Sequence, residues 1–300
     1  MQSPLFAEGG MNQLPRARLW IAAIWWMACF GTAWPAAAQP AAGSASDHRP
    51  EKIVMIAGPT HHGRGAHEHD KGLLLVKQCL EASPNAGGLR IEVHSNNWPA
   101  NPATLDDADT IVMFNEGWNN HLLARPERRG KVRGLTNRGV GLVCLHAATA
   151  VSDDAEKDFL QWAGGNKKQV YSQLTWADGQ QTVAAPGHPV ARGVKAFCVK
   201  EELYYRYRFA EDDKRRTPIL TAMLPPEKPH KEVIAWAFER EDGGRAFLYA
   251  GPHFHSSWRI ESLRTMVLNA ILWTAKAEVP AGGVRSSLPA DAKSTAPLKP

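Results

Sequence analysis

Gly139-Val140-Gly141-Leu142-Val143-Cys144-Leu145-His146-Ala147-Ala148 is the stretch on which the fold turns. The run from Gly139 to Leu145 carries no charged side chain and is rich in Val and Leu, which reads as a strand buried on both faces. It stops at a histidine followed by small residues. Strands of this kind belong inside parallel sheets, with helices covering both faces, and the sequence upstream supplies those helices.

Working backwards, Lys52–Ala57 (KIVMIA) reads as a short buried strand ending at Gly58-Pro59, and Lys71–Ala82 has the apolar spacing of a helix. Leu89–His94 alternates as a second strand, Asp109–Phe114 forms a third, and Pro126–Asn137 a basic helix. Working forwards, a short helix is predicted over Asp153–Ala163. β-Rich segments follow at Val170–Thr175, Gln181–Ala185, Phe197–Lys200, Leu203–Phe209 and Ile219–Met223. Glu232–Glu239 and Arg245–Ala250 flank Asp242-Gly243-Gly244, a hairpin turn sequence, and Ile260–Thr274 closes the chain's ordered part as an amphipathic helix. The expectation is one α/β domain with a mostly parallel central sheet and an antiparallel, β-rich second half.

Both ends are set apart from this domain. The run Leu19–Ala33 is free of charge, follows Arg16 and Arg18, and precedes Pro35 and the small residues Ala36-Ala37-Ala38. That order is the signature of a secretory signal peptide cleaved near Ala38; the other reading is a retained membrane anchor, for which the run is short. Met11 is a second candidate start, because the signal is complete from there. Residues 1–38 are therefore expected as a signal peptide, 39–50 as a linker, 51–278 as the folded domain and 279–300, rich in Pro, Ala, Ser and Gly, as a disordered tail. The expected location is the periplasm or the exterior, with membrane contact only through an uncleaved signal segment.

Composition narrows the function. Hydrophobic residues make up 44% and charged residues 22% of the 300, a globular mix, and the net charge of +5 is dispersed and accompanies no nucleic-acid reading element. Cys79, Cys144 and Cys198 remain after signal removal, an odd number without C-x-x-C spacing, so neither a disulfide framework nor a cysteine zinc site is expected. There is no Walker or G-x-G-x-x-G loop. The basic residues Arg125, Arg128, Arg129, Lys131 and Arg133 read as a solvated helix face.

Histidine is the unusual residue, with 12 in the chain. Ligands of open α/β sheets bind beyond the carboxyl ends of the strands. There the sequence places His61, His62, His67 and His69 after the first strand, Glu116, Trp118 and His121 after the third, His146 after the fourth, and His253 and His255 after Arg245–Ala250. Imidazole transfers protons and ligates metals near neutral pH. The His67/His69 and His253/His255 pairs are two residues apart, which in extended backbone puts both rings on one face, so His67, His69 and His255 are candidate ligands for a divalent metal such as zinc. The alternative is that these rings only hydrogen-bond the loops or touch sugar hydroxyls. Glu201 and Glu202 can supply an acid or base. Trp98, Trp118, Trp162, Trp176 and Trp258 fall in or near loops, where an aromatic face suits a sugar ring.

With His188-Pro189 followed by Arg192-Gly193-Val194, the segment Glu202-Leu203-Tyr204, the late Gly251-Pro252-His253 and the closing Leu268-Asn269-Ala270-Ile271-Leu272-Trp273, the Gly139–Ala148 stretch resembles the ThuA-like (trehalose utilisation) family. The resemblance covers Lys52 to Val279 in order. It implies a flavodoxin-like, class I glutamine amidotransferase-like three-layer sandwich and a link to disaccharide or 3-keto-sugar metabolism. It also places His146 at the strand-to-helix turn where glutamine amidotransferases carry their nucleophilic cysteine, and matches Glu202 and His253 to family positions. Glu201, Leu203 and Pro252 depart from the family pattern. A nucleophile elbow needs flanking glycines; Cys144 has none and lies inside the strand, so glutamine hydrolysis is not expected. The expected function is action on a carbohydrate by acid-base chemistry, with His146, Glu202 and His253 catalytic and His62, Glu116, Trp118, Tyr204 and Trp258 binding substrate. Hydrolysis, lyase chemistry and isomerisation remain open. The alternative from another class is a non-catalytic carbohydrate-binding or metal-binding periplasmic protein.

Overall fold

A computed structural model describes residues 49–95, 97–209 and 213–289. The signal segment at 1–38, most of the 39–50 linker and residues 290–300 of the expected tail lie outside the described residues.

The strands are β1 (Glu51–Ala57), β2 (Leu89–His94), β3 (Thr110–Phe114), β4 (Gly141–Leu145), β5 (Gly165–Asn166), β6 (Gln173–Val183), β7 (Phe197–Tyr205), β8 (Arg208–Phe209), β9 (Arg216–Leu224), β10 (His230–Glu239) and β11 (Arg245–Tyr249). The helices are α1 (His69–Glu81), α2 (Pro126–Thr136), α3 (Glu156–Ala163) and α4 (Glu261–Thr274). Nine strands form one sheet in the order β2-β1-β3-β4-β11-β10-β9-β6-β7, and β5 pairs with β8 separately. From β2 to β11 every pair is parallel; from β11 to β7 every pair is antiparallel. The α/β class and the mixed sheet are as the sequence implies, and the antiparallel half extends the parallel sheet instead of forming a separate one.

β1 runs to β2 on one side and β3 to β4 on the other, so right-handed crossovers put α1 and α2 on opposite faces. The reversal between β1 and β3 is a topological switch point, where a crevice opens beyond the strand ends. β3 and β4 are buried along their whole length, which accounts for their uninterrupted apolar runs. Gly141 is required by packing: a Cβ there would lie 2.2 Å from the Thr274 carbonyl oxygen of α4.

Three expectations change. Phe197–Lys200 and the start of Leu203–Phe209 form the single strand β7, with Arg208–Phe209 set apart as β8. Val170–Thr175 and Gln181–Ala185 do not form two strands; one strand, β6, runs through Ala177-Asp178-Gly179, and residues 168–171 form a turn. Polar alternation hid this strand, because β6 pairs with β9 only at Gln181–Val183 and elsewhere has β7 as its single neighbour. The tail also begins later than residue 279. Val279 and Val284 are 4% and 1% exposed. Asn269 of α4 accepts from the Val284 N–H and donates to the Val190 and Arg192 carbonyls. Two isolated buried valines and hydrogen bonds with side chains of distant residues, not an apolar period, hold this segment, so composition alone could not show it.

Candidate functional site

The carboxyl ends of β1, β3, β4 and β11 meet at one point. His146 begins the 3-10 turn His146–Thr149 directly after β4, with φ 52°. A left-handed backbone at a non-glycine residue costs free energy and is concentrated at functional sites; His67 (φ 47°) and Trp118 (φ 50°) share it. His67 lies in the loop after β1, where its N–H donates to the His253 carbonyl.

Three ring nitrogens converge: His146 Nε2 is 3.0 Å from His67 Nε2 and 3.1 Å from His253 Nδ1, and His67 Nε2 is 3.1 Å from His253 Nδ1. All three side chains are buried. Tautomers follow from the other nitrogens. His146 Nδ1 lies 2.7 Å from the Ala250 carbonyl oxygen and donates to it. His67 Nδ1 lies 2.9 Å from Glu116 Oε1 and donates to it. Both Nε2 atoms therefore present lone pairs to the centre. Burial holds His146 well below its ordinary pKa and His253 at about 4, aided in both by the neighbouring His67.

Facing lone pairs repel unless a cation lies between them. The ring planes cross at 87° (His67/His146), 81° (His67/His253) and 80° (His146/His253). The three rings therefore meet edge to face and do not stack, which leaves their nitrogens turned toward one another. Three imidazole nitrogens are a donor set that suits zinc, and His67, His146 and His253 are the residues that would hold such an ion. His62, His67 and Glu116 form a second cluster, but the His62 and His67 rings are stacked at 3.6 Å and 24°. Nearly parallel planes do not meet close by, so this cluster fits hydrogen bonding: Glu116 Oε1 accepts from both Nδ1 atoms, at 3.1 Å and 2.9 Å. Burial works to raise the Glu116 pKa, but the hydrogen bond from His67 and the nearby imidazoles outweigh it and hold it at about 2. A carboxylate fixing a ligand imidazole is the usual outer partner of a metal site.

The other side of the site comes from β6 and β7. The half of this ribbon not paired to β9 lies over the strand ends. Glu202 and Trp176 are cross-strand partners, as are Tyr204 and Leu174. Glu202 reaches to 3.9 Å from both His146 Nε2 and His253 Nδ1. Tyr204 stacks on His146 at 4.7 Å, and Trp176, 53% exposed, stands edge-on to His253 at 5.1 Å. Beneath, the fully buried Glu201 accepts from the His253 N–H and from Ser257 Oγ, and burial raises its pKa to about 8. The loop 58–71 adds a cavity of about 180 Å³ beside this centre, lined by Thr60, His62, Arg64 and Glu68 among others.

A family model for ThuA, described as trehalose utilisation, matches residues 55–274. The chain belongs to the ThuA family. Solved ThuA-like proteins share its fold. That from Parabacteroides merdae is 16% identical with a TM-score of 0.58, covering 81% of this chain and 94% of that one. That from Bacteroides uniformis is 16% identical with a TM-score of 0.56, covering 79% and 95%. A glutamine amidotransferase from Thermotoga maritima is 8% identical with a TM-score of 0.43, covering 77% and 100%. No curated protein matches the sequence.

In this ThuA protein the structure brings together His146, Glu202, His253, His67, Glu116, His62 and Tyr204 from the residues singled out in the sequence. It separates the H-x-H pairs. His69 is the first residue of α1 and turns its Nδ1 to the Gly58 carbonyl, while His255 opens a 3-10 turn with its Nδ1 3.7 Å from Glu68. The extended backbone assumed for both pairs is interrupted at these points, so one histidine from each pair meets His146. Trp258 is also corrected: it is 1% exposed and its indole packs where Gly72 of α1 leaves room, so it is core and not a sugar platform. Trp176 holds the exposed position beside the centre instead. Cys144 is wholly buried within β4, and burial pushes its thiol far up. Lys167 carried no signal in the sequence beyond following Gly164-Gly165, yet it joins the site between Trp118 and Tyr204.

Proposed function

We propose that this ThuA-family chain acts on a carbohydrate at a divalent-metal centre held by His67 Nε2, His146 Nε2 and His253 Nδ1. The observation that carries the reading is the triangle of buried ring nitrogens, 3.0–3.1 Å on a side, whose ring planes cross near right angles. A bound zinc-like ion supplies Lewis acidity toward a sugar oxygen. The protein's own groups do the rest. Ala250 and Glu116 fix the His146 and His67 tautomers, and Glu201 holds the His253 backbone. Glu202, 3.9 Å from two of the ring nitrogens, would serve as the acid-base group, taking a proton from the attacking oxygen and giving it to the leaving oxygen as the C–O bond of the sugar breaks. Trp176 offers a flat apolar face to the sugar ring and excludes water from one side of it. Export to the periplasm or exterior, read from Leu19–Ala33, is part of the proposal and fits a protein that meets its sugar outside the cytoplasm.

The test combines metal analysis of the purified protein with incubation against a panel of disaccharides and their 3-keto forms, with and without chelator, products being followed by mass. Bound metal and chelator-sensitive turnover are expected. Binding without turnover of any member would replace the enzyme by a carbohydrate-binding protein, and full activity without metal would remove the centre from the reaction.

A further inference from the structure

Lys167 is not needed to hold the histidine centre, and its environment is unusual for a lysine. It follows β5, and its N–H donates to the Thr149 carbonyl at 2.9 Å, on the same turn that begins with His146. The side chain is 4% exposed. Nζ lies 4.0 Å from the centroid of the Trp118 ring and 4.4 Å from that of Tyr204. Tyr204 in turn stacks on His146 at 4.7 Å, so the ammonium is one aromatic ring away from the metal-binding histidines.

An ammonium has three N–H donors. Among the described residues none of them meets a hydrogen-bond acceptor, and no carboxylate oxygen lies within ion-pair distance; Glu202 acts on it only from farther away. Burial accordingly lowers its pKa to about 8. Trp118 Nε1, in the ring that Nζ covers, is also buried with no acceptor. Lysines elsewhere in the fold are satisfied when buried: Lys52, equally 4% exposed, reaches Asp107, Thr104 and Glu92. Aromatic faces attract the Lys167 charge but satisfy none of its donors. A buried N–H without an acceptor and an ammonium with no acceptor among the described residues thus lie together beside Tyr204. A hydroxyl would satisfy one donor and leave the charge, whereas a carboxylate supplies two acceptor oxygens and a compensating charge.

We propose that Lys167 is the anion-recognising residue of this site and that the sugar it accepts carries a carboxylate, as a uronic acid does. The proposal rests on the carbohydrate reading above and makes it specific: the ring lies against the exposed side of Trp176 beside the histidine centre, and its carboxylate reaches Lys167 and the Trp118 N–H. Lys167 is a specificity residue in this scheme and takes no part in bond breaking.

The test is calorimetric titration of the zinc-loaded protein with D-glucuronate and with D-glucose, with zinc content measured on the same samples. Wild type is expected to bind glucuronate about ten-fold or more tightly than glucose. Lys167→Met is expected to erase that preference while leaving glucose affinity and zinc content unchanged, and Lys167→Arg to retain part of it. Equal affinity of wild type for the two sugars, or a preference that survives in Lys167→Met, overturns the proposal and leaves the carbohydrate reading standing. Binding of neither sugar overturns both. If Lys167→Met does not fold, the Lys167→Gln variant and the wild-type comparison decide.

Discussion

His67 adopts φ 47°, and that turn sends Nε2 to the centre and Nδ1 to Glu116, so a single ring donates a hydrogen bond and, in the proposed reading, ligates the metal. Its replacement by Ala should abolish stoichiometric zinc binding, with an affinity loss of at least about 100-fold, and Glu116→Gln should cost roughly 10- to 100-fold because the ring loses its orienting acceptor. Metal analysis after dialysis against competing chelators reads both, with circular dichroism to confirm folding. His121 illustrates a structural histidine by contrast. It is fully buried, its Nε2 donates to the Ala148 carbonyl, and its Nδ1 accepts from the Leu123 N–H, so burial lowers its pKa to about 4. The unfolded chain, with His near its ordinary value of about 6.5, binds the proton more readily in this window. Its contribution is complete above about pH 6.5 and is lost as pH falls toward 4, at about 2–3 kcal/mol. His121→Asn keeps an acceptor for Leu123 and removes the titration; urea midpoints from pH 7 to 4 should fall less steeply in the variant, and an unchanged slope would assign the pH dependence to other groups.

Elements decide what the residues can reach. β4 packs under α4 so closely that Gly141→Ala forces its Cβ to 2.2 Å from the Thr274 carbonyl, backbone that cannot yield without shifting the helix. A loss of about 3 kcal/mol is expected, seen as a lower thermal midpoint, whereas Gly179→Ala in β6, with open space at its Cβ, should change it little. The inner parallel strands are legible because their apolar runs are continuous, and the edge strand β2 because it alternates. β6 is not, because burial on that strand alternates with exposure and its outward face is mostly polar apart from Leu174 and Trp176. The same cause explains why Trp176 was only one of several loop tryptophans in the sequence: its exposure beside His253 depends on a ribbon end that leaves β9 and leans across the sheet.

At the scale of the whole molecule, the domain is closed by residues 279–289. A chain ending at Glu278 should lose about 3 kcal/mol or more with the burial of Val279 and Val284 and the pairing to Asn269. A chain ending at residue 289 keeps these contacts and should unfold with wild-type stability, as thermal denaturation of the two truncations would show. The sequence by itself determined the α/β class, the family, the buried strands and the gathering of histidines at one sheet edge. The class, the strands and the histidine placement follow from local periodicity and from the rule that strand ends carry the ligand loops, and the family from the resemblance of its motifs. Only the tertiary structure decided which histidine of each pair enters the centre, that Trp258 is core while Trp176 is exposed, and that Lys167 sits unsatisfied beside them. The physical reason is that such roles depend on backbone turns at single residues and on contacts between segments far apart in the chain, for which local spacing holds no record.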